Sequence, residues 1–90
     1  MGCTITTNFT ETPAEQAKAI GASKQQIREL GRFICHCKAV SFADTVRLII
    51  TAGKRGSLEV MAIYKRNGET TDICMIEWAR NGELLDVCFT

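Results

Sequence analysis

Cys35, His36 and Cys37 stand side by side in a chain that holds three further cysteines, Cys3, Cys74 and Cys88, and no other histidine. Thiolate and imidazole are the usual ligands of zinc, and a thiol beside an imidazole is a usual nucleophile–base pair, so metal binding, redox chemistry and thiol catalysis are the first chemistries to weigh. The spacing disfavours them. Near the end of a helix, neighbours one and two positions apart point to different sides, and the three side chains cannot grip one ion without unwinding it. A catalytic Cys–His pair needs contact in space, which adjacency in sequence does not supply. The cysteines are odd in number and lack a Cys-x-x-Cys pair, so they read as free thiols acting as small apolar residues in a reducing cytoplasm. No loop with glycines followed by Lys-Ser/Thr offers a phosphate cradle. No enzyme activity, cofactor, metal or small-molecule substrate is expected.

A second kind of chemistry is carried by residues 14–31, AEQAKAIGASKQQIRELG. Thr12-Pro13-Ala14-Glu15 supplies a capping hydroxyl, a proline at the first helical position and a glutamate three residues after the cap. Ser23-Lys24-Gln25-Gln26 repeats the capping pattern. Between the two lie Ala17, small enough for a helix crossing, and Gly21, where the chain must turn. Ile27 and Leu30 then anchor a second helix by its apolar side.

From Glu15 to Leu30 the chain resembles the helix-turn-helix of the phage repressor and Cro class, over less than a fifth of its length. The resemblance implies that Ser23, Lys24, Gln25 and Gln26 open a recognition helix. Gln25 and Gln26 would then be aimed at base edges, where a glutamine amide suits adenine, with Lys24 and Arg28 nearer phosphates. The Gly53-Lys54-Arg55-Gly56 loop is a further place for phosphate contact, through Lys54 and Arg55.

Charge is unevenly spread. Residues 1–56 hold eight Lys/Arg against four Asp/Glu, and residues 57–90 hold three against six, within a net charge of only +1. A basic helical half joined to an acidic sheet suits a small operator-binding dimer; the net charge excludes an unspecific nucleic-acid glue. Ninety residues with 46 % hydrophobic content are enough for one modest core and argue against disorder. No apolar run is long enough for a membrane span, and the polar start is unlike a secretory signal, so a cytoplasmic location is expected. Met1-Gly2-Cys3 fits the bare lipidation pattern and Asn8-Phe9-Thr10 the glycosylation pattern; both are read as accidental.

These residues need positioning elements. Cys3 to Phe9 alternates as a short strand. Pro13 onward forms the first helix, Ser23 to Lys38 the second, and Ser41-Phe42-Ala43-Asp44 caps a third carrying Val46, Leu48, Ile49 and Ile50. Ser57 to Lys65, Glu69 to Ala79 and Leu84 to Thr90 are strands joined by two Arg-Asn-Gly-Glu turns, with Arg66 facing Glu69 and Arg80 facing Glu83. Two-residue turns set a register in which Met61, Cys74, Ile76, Trp78, Leu85, Val87 and Phe89 pack on the helices. Val60, Ala62, Ile73, Met75 and Cys88, with Leu58 and Tyr64, line the other face, too apolar for open water and suited to a dimer or partner interface. The same register puts Glu77 opposite Asp86.

The expected architecture is one α+β domain, with a short N-terminal strand, three helices including the helix-turn-helix-like pair (13–52), and a three-stranded antiparallel meander (57–90). Two functions follow. One is a non-enzymatic DNA-binding regulator of phage or plasmid type, acting on operator DNA as a homodimer. The other is a non-catalytic protein-interaction module, a small inhibitor or adaptor, that binds a host protein through its sheet or charged surface.

Overall fold

Thr45 to Ala52, expected to be a third helix, is instead a central strand of a five-stranded sheet. In the computed structural model, which describes residues 2–7 and 10–90, the elements run β1 (Thr4–Thr7), α1 (Pro13–Ala19), α2 (Lys24–Ala39), β2 (Thr45–Ala52), β3 (Leu58–Arg66), β4 (Glu69–Trp78) and β5 (Leu84–Phe89). The strands lie in the order β1-β2-β3-β4-β5. β1 and β2 are parallel, Thr4 beside Thr45 and Thr7 beside Leu48, while every later pair is antiparallel. A parallel pair needs a long crossover, and α1 with α2 supplies it. The fold is therefore two helices and a mixed sheet, rather than three helices and a three-stranded meander.

The physical reason lies in the composition of β2. Thr-Val-Arg-Leu-Ile-Ile-Thr-Ala is dominated by branched side chains, which lose rotamer freedom in a helix and pack well on a pleated sheet. Val46 and Leu48 are fully buried while Arg47 between them is exposed. Asp44 starts no helix. Its carbonyl accepts from the Thr4 amide, its amide donates to the Lys65 carbonyl, and its carboxylate accepts from the Asn67 amide at 3.0 Å. Gly53-Lys54-Arg55-Gly56 ends no helix either: Lys54–Gly56 is a single 3₁₀ turn leading from β2 into β3, with positive φ at Arg55 and Gly56.

Both capping boxes form. Thr12 Oγ1 accepts from the Glu15 amide and Glu15 Oε1 accepts from the Thr12 amide; Ser23 and Gln26 exchange the same pair of bonds. Between the helices Gly21, at φ +87°, closes α1. The Ala22 amide reaches the Ala17 carbonyl and the Gly21 amide the Lys18 carbonyl, a Schellman ending that an L side chain would strain. Ala17, Leu30 and Cys37 then enter a core built with Val46, Leu48, Leu58, Val60, Ala62, Tyr64, Cys74 and Trp78. Phe33 meets Trp78 edge-on, with ring centroids 6.0 Å apart.

The expected face of β3 is reversed. A β-bulge between Tyr64 and Lys65 moves the pairing one residue along, so Met61 faces Met75 and Val60 faces Ile76. Because side chains alternate, a one-residue slip exchanges the two faces of the strand. Leu58, Val60, Ala62 and Tyr64 are core residues under the helices; Glu59, Met61 and Ile63 lie on the open side. Val60 and Ala62, expected at an interface, are buried. For β4 and β5 the expected pairing of Cys74 with Phe89 through Glu77 with Asp86 holds, but a second bulge between Glu77 and Trp78 sets Trp78 opposite Leu84 and not the expected Leu85. The strand-like start reads as Thr4–Thr7; Met1, Asn8 and Phe9, on which the lipidation and glycosylation patterns depend, are outside the described residues.

Candidate functional site

The N-terminus of α2 is the first candidate, and its side chains do unequal jobs. Gln26 is fully buried. Its Oε1 accepts from the Ser23 amide at 2.8 Å, and its Nε2 donates to the Gly56 carbonyl at 2.8 Å and the Trp78 carbonyl at 3.2 Å. Both amide N–H donors and the amide oxygen are engaged inside the protein and the side chain is fully buried, so Gln26 cannot reach a base edge. Ser23 caps the helix with the same oxygen that donates to the Arg80 carbonyl. Gln25 is exposed, yet its Cβ lies against Gly82, where an added methyl would sit 3.0 Å away. Lys24 and Arg28 are exposed on the first turns of the helix.

These bonds draw three segments together. Gln26 ties α2 to the Lys54–Gly56 turn and to the end of β4, and Arg80 crosses back, its guanidinium donating to the Gly21 carbonyl at 3.0 Å. The α2 N-terminus, the Lys54–Gly56 turn and the 80–83 turn thus meet around a buried glutamine, and Lys24, Arg28, Lys54, Arg55 and Arg80 are exposed along these segments. Of the residues expected to touch DNA, Lys24, Gln25, Arg28, Lys54 and Arg55 are each exposed, while Ser23 and Gln26 are spent on the scaffold. Arg80 lies in a turn that the sequence pattern ties to the sheet alone, and only the fold brings it to the start of α2.

The second candidate is the far edge of the sheet. Every residue of β5 is exposed, and Leu84 (52 %), Leu85 (53 %), Val87 (53 %) and Phe89 (57 %) are among the most exposed large apolar residues of the chain. α2 stops short of this strand. It leaves a groove floored by Ile76, Trp78 and Leu84, walled by Phe33 and rimmed by Glu29, Arg32 and His36. On the opposite face Met75 is 46 % exposed, beside Cys88 on β5 and Met61 on β3, with Ile73 half-buried one row away. Ile73, Met75 and Cys88 thus lie where an interface was expected. No protein-family model, no curated protein and no solved structure matches the chain.

A third feature crosses that open face. The slipped register adds Glu59 to the pair foreseen between Glu77 and Asp86, so three carboxylates run in one row beside a small hollow. Glu77 accepts a 2.7 Å hydrogen bond from the Ser57 hydroxyl. Among the described residues no group of three or more His, Cys, Asp and Glu side chains is arranged to hold a metal ion.

The cysteines separate by environment. Cys3, Cys37 and Cys74 are buried, and burial pushes each thiol above its ordinary value; a further contribution raises Cys3 through Asp44 and Cys74 through Cys88. For Cys37 the contact with the Tyr64 hydroxyl, 3.4 Å away, opposes the rise. A thiol held protonated is a poor nucleophile and a poor metal ligand. Burial raises the Tyr64 hydroxyl too, reinforced by Cys37. Cys35 and Cys88 are exposed, and Cys74 and Cys88 lie on opposite faces, as the alternation required. Among the described residues no helix is long and apolar enough to cross a membrane.

Proposed function

We propose that this protein is a non-catalytic interaction module that binds another polypeptide along the apolar edge of its sheet. The observation that carries the reading is β5: a six-residue edge strand whose four large apolar side chains are each more than half exposed. Unpaired strand edges offer backbone donors and acceptors to an added strand, and a contiguous apolar patch beside them supplies the driving force. Burial of Cys3, Cys37 and Cys74 fits apolar packing rather than chemistry at those three sulfurs, and five free cysteines suit a cytoplasmic setting. The test compares the wild type with the pair Leu84→Lys/Phe89→Glu, checked for unchanged circular dichroism, as baits on a column. The expected result is a polypeptide, whether this chain or another, held by the wild type and lost with the variant. A wild type that holds none and does not self-associate overturns the reading.

The start of α2 favours a second reading, a DNA-binding regulator of phage or plasmid type acting as a homodimer. Exposed Lys24 and Arg28 on α2, with Lys54 and Arg55 in the turn that Gln26 binds, suit contact with phosphates, whereas base readout would fall to Gln25 without its neighbour. Retention of DNA fragments that weakens steeply with salt, and that falls in Lys54→Ala/Arg55→Ala, is the expected result under this reading. Equal retention by the wild type and the variant removes it.

A further inference from the structure

We infer that β5 pairs with β5 of a second copy of this chain, antiparallel and centred on Val87, joining two five-stranded sheets into one. The inference rests on the reading of β5 as an interaction edge and names what lies against it. Ile73 and Thr90 exchange both of their backbone hydrogen bonds, at 2.9 and 2.8 Å, and bonded pairs alternate with unbonded ones along an antiparallel ladder. With Cys88 opposite Met75 and Asp86 opposite Glu77, Thr90, Cys88 and Asp86 direct their amides and carbonyls to β4. Val87 and Phe89 therefore turn theirs outward. Sheet edges are usually blunted with lysine, proline or several charges; from Leu84 to Thr90 the one charged residue is Asp86.

The strand is complementary to itself in one register. Two-fold pairing centred on Asp86 would set that carboxylate directly against its own copy, which is unfavourable. Centring on Cys88 moves Leu84 and Leu85 past the end of the partner strand at Phe89. Centring on Val87 places Val87 opposite itself and Asp86 opposite the uncharged Cys88, and brings Leu85, at the bulge against Trp78, to Phe89. Apolar side chains then meet apolar ones, and no like charges face each other. A two-fold axis normal to the sheet also keeps α2 of both copies on one side, so the groove beside Phe33 and Trp78 opens toward its copy. Specific interfaces bury about 1,000 Å² or more; one strand edge is small on that scale, and the dimer is expected to be weak.

Sedimentation equilibrium from micromolar to millimolar protein should show a monomer–dimer equilibrium. Val87→Pro removes an amide that β4 does not use, and should weaken the dimer at least tenfold with the circular dichroism unchanged. In case proline disturbs β5, a second variant keeps the question open to decision. In a Cys35→Ser/Cys88→Ser background, Val87→Cys should be joined to its copy by a short bismaleimide, whereas Leu84→Cys should not. A dimer indifferent to Val87→Pro, or one joined at position 84 and not at 87, overturns the register and the inference. A wild type that stays monomeric throughout also overturns it. If that monomer still holds a lysate protein that Leu84→Lys/Phe89→Glu loses, the wider reading survives; if it holds nothing, both fall.

Discussion

The tetrapeptide Arg-Asn-Gly-Glu joins β3 to β4 at residues 66–69 and β4 to β5 at 80–83, and the two copies fold differently. In the first, Asn67 and Gly68 both take positive φ, 53° and 82°, as a two-residue type I′ turn requires. In the second only Gly82 does, at 89°. There the Gly82 amide donates to the Ala79 carbonyl and the Ala79 amide to the Glu83 carbonyl, the pattern of a type I turn followed by a left-handed glycine. The arginines also depart from the expected ion pairs with Glu69 and Glu83: Arg66 donates to the Ser41 carbonyl at 2.8 Å and Arg80 to the Gly21 carbonyl. The difference lies in what each turn touches. The first projects into open space beyond Asp44, whereas the second is the seat of α2, with Gln25 against Gly82, Ser23 on the Arg80 carbonyl and Gln26 on the Trp78 carbonyl. A turn dipeptide thus offers a small set of conformations, and the neighbouring helix selects among them.

The strongest way to break the comparison is to cut the second turn from α2. Gln26→Leu keeps the volume but leaves the Gly56 and Trp78 carbonyls and the Ser23 amide without their buried partner. Unsatisfied buried groups cost about 1–3 kcal/mol each, partly relieved by relaxation, so the variant should lose about 3 kcal/mol in denaturant unfolding. Amide exchange at Gly82 should rise while that at Gly68 stays constant. A loss below about 1 kcal/mol would mean that α2 does not hold the turn.

Adding a methyl to each glycine sharpens the contrast. Gly68→Ala meets only the positive φ, with nothing within 4 Å of the new carbon, and should cost about 1 kcal/mol. Gly82→Ala meets the same strain and also the Gln25 Cβ at 3.0 Å, so it should cost about 2 kcal/mol. Equal unfolding midpoints for the two variants would show that the close approach of α2 is not felt.

Much of this was legible in local sequence, and the failures share one cause. Caps, the Gly21 turn and the strand limits after residue 57 depend on neighbours a few positions apart, and Thr12, Ser23 and the two Asn-Gly pairs announce them. The identity of β2 depends on β1 and β3, which Ser41-x-x-Asp44 concealed by imitating a cap, although the branched run Thr-Val-Arg-Leu-Ile-Ile-Thr carried the contrary signal. The bulge after Tyr64 left no mark in the sequence, and it moved Val60 and Ala62 from an expected interface to the core. The site followed the same rule. Lys24, Arg28, Lys54 and Arg55 are exposed, as local charge alone suggests, but Gln26 reads as a base contact because its acceptors, Gly56 and Trp78, lie 30 and 52 residues away. The uncovered β5 was visible only as a strand with a single charge.

The asparagines should separate less. Asn67 sits in the left-handed region, which asparagine tolerates better than alanine, and its replacement by alanine should cost about 1 kcal/mol. Asn81 keeps a negative φ and contributes one exposed hydrogen bond, Oδ1 accepting from the Glu83 amide at 2.9 Å. Asn81→Ala should cost about 0.5 kcal/mol. The order Asn67 above Asn81 reverses the order of the glycines, because in the first turn the strain is shared by two residues and in the second it falls on Gly82.

Acid sharpens the comparison one step further, since the capping box is also used twice, once beside the second turn and once far from it. Ser23 with Gln26 carries no titrating group. Thr12 with Glu15 does: the backbone and then the hydroxyl of Thr12 hold the Glu15 carboxyl below its ordinary value. A carboxyl depressed in the folded state stabilises above its unfolded value, and that contribution fades as pH falls through the folded one. Acidification below the ordinary glutamate range should therefore speed amide exchange in the first turn of α1 while the first turn of α2 stays protected. The effect is small because Glu15 is exposed to solvent and screened. Glu15→Gln keeps the reciprocal bonds and should abolish the pH dependence without unfolding α1; a first turn that still loosened in acid would place the titrating group elsewhere.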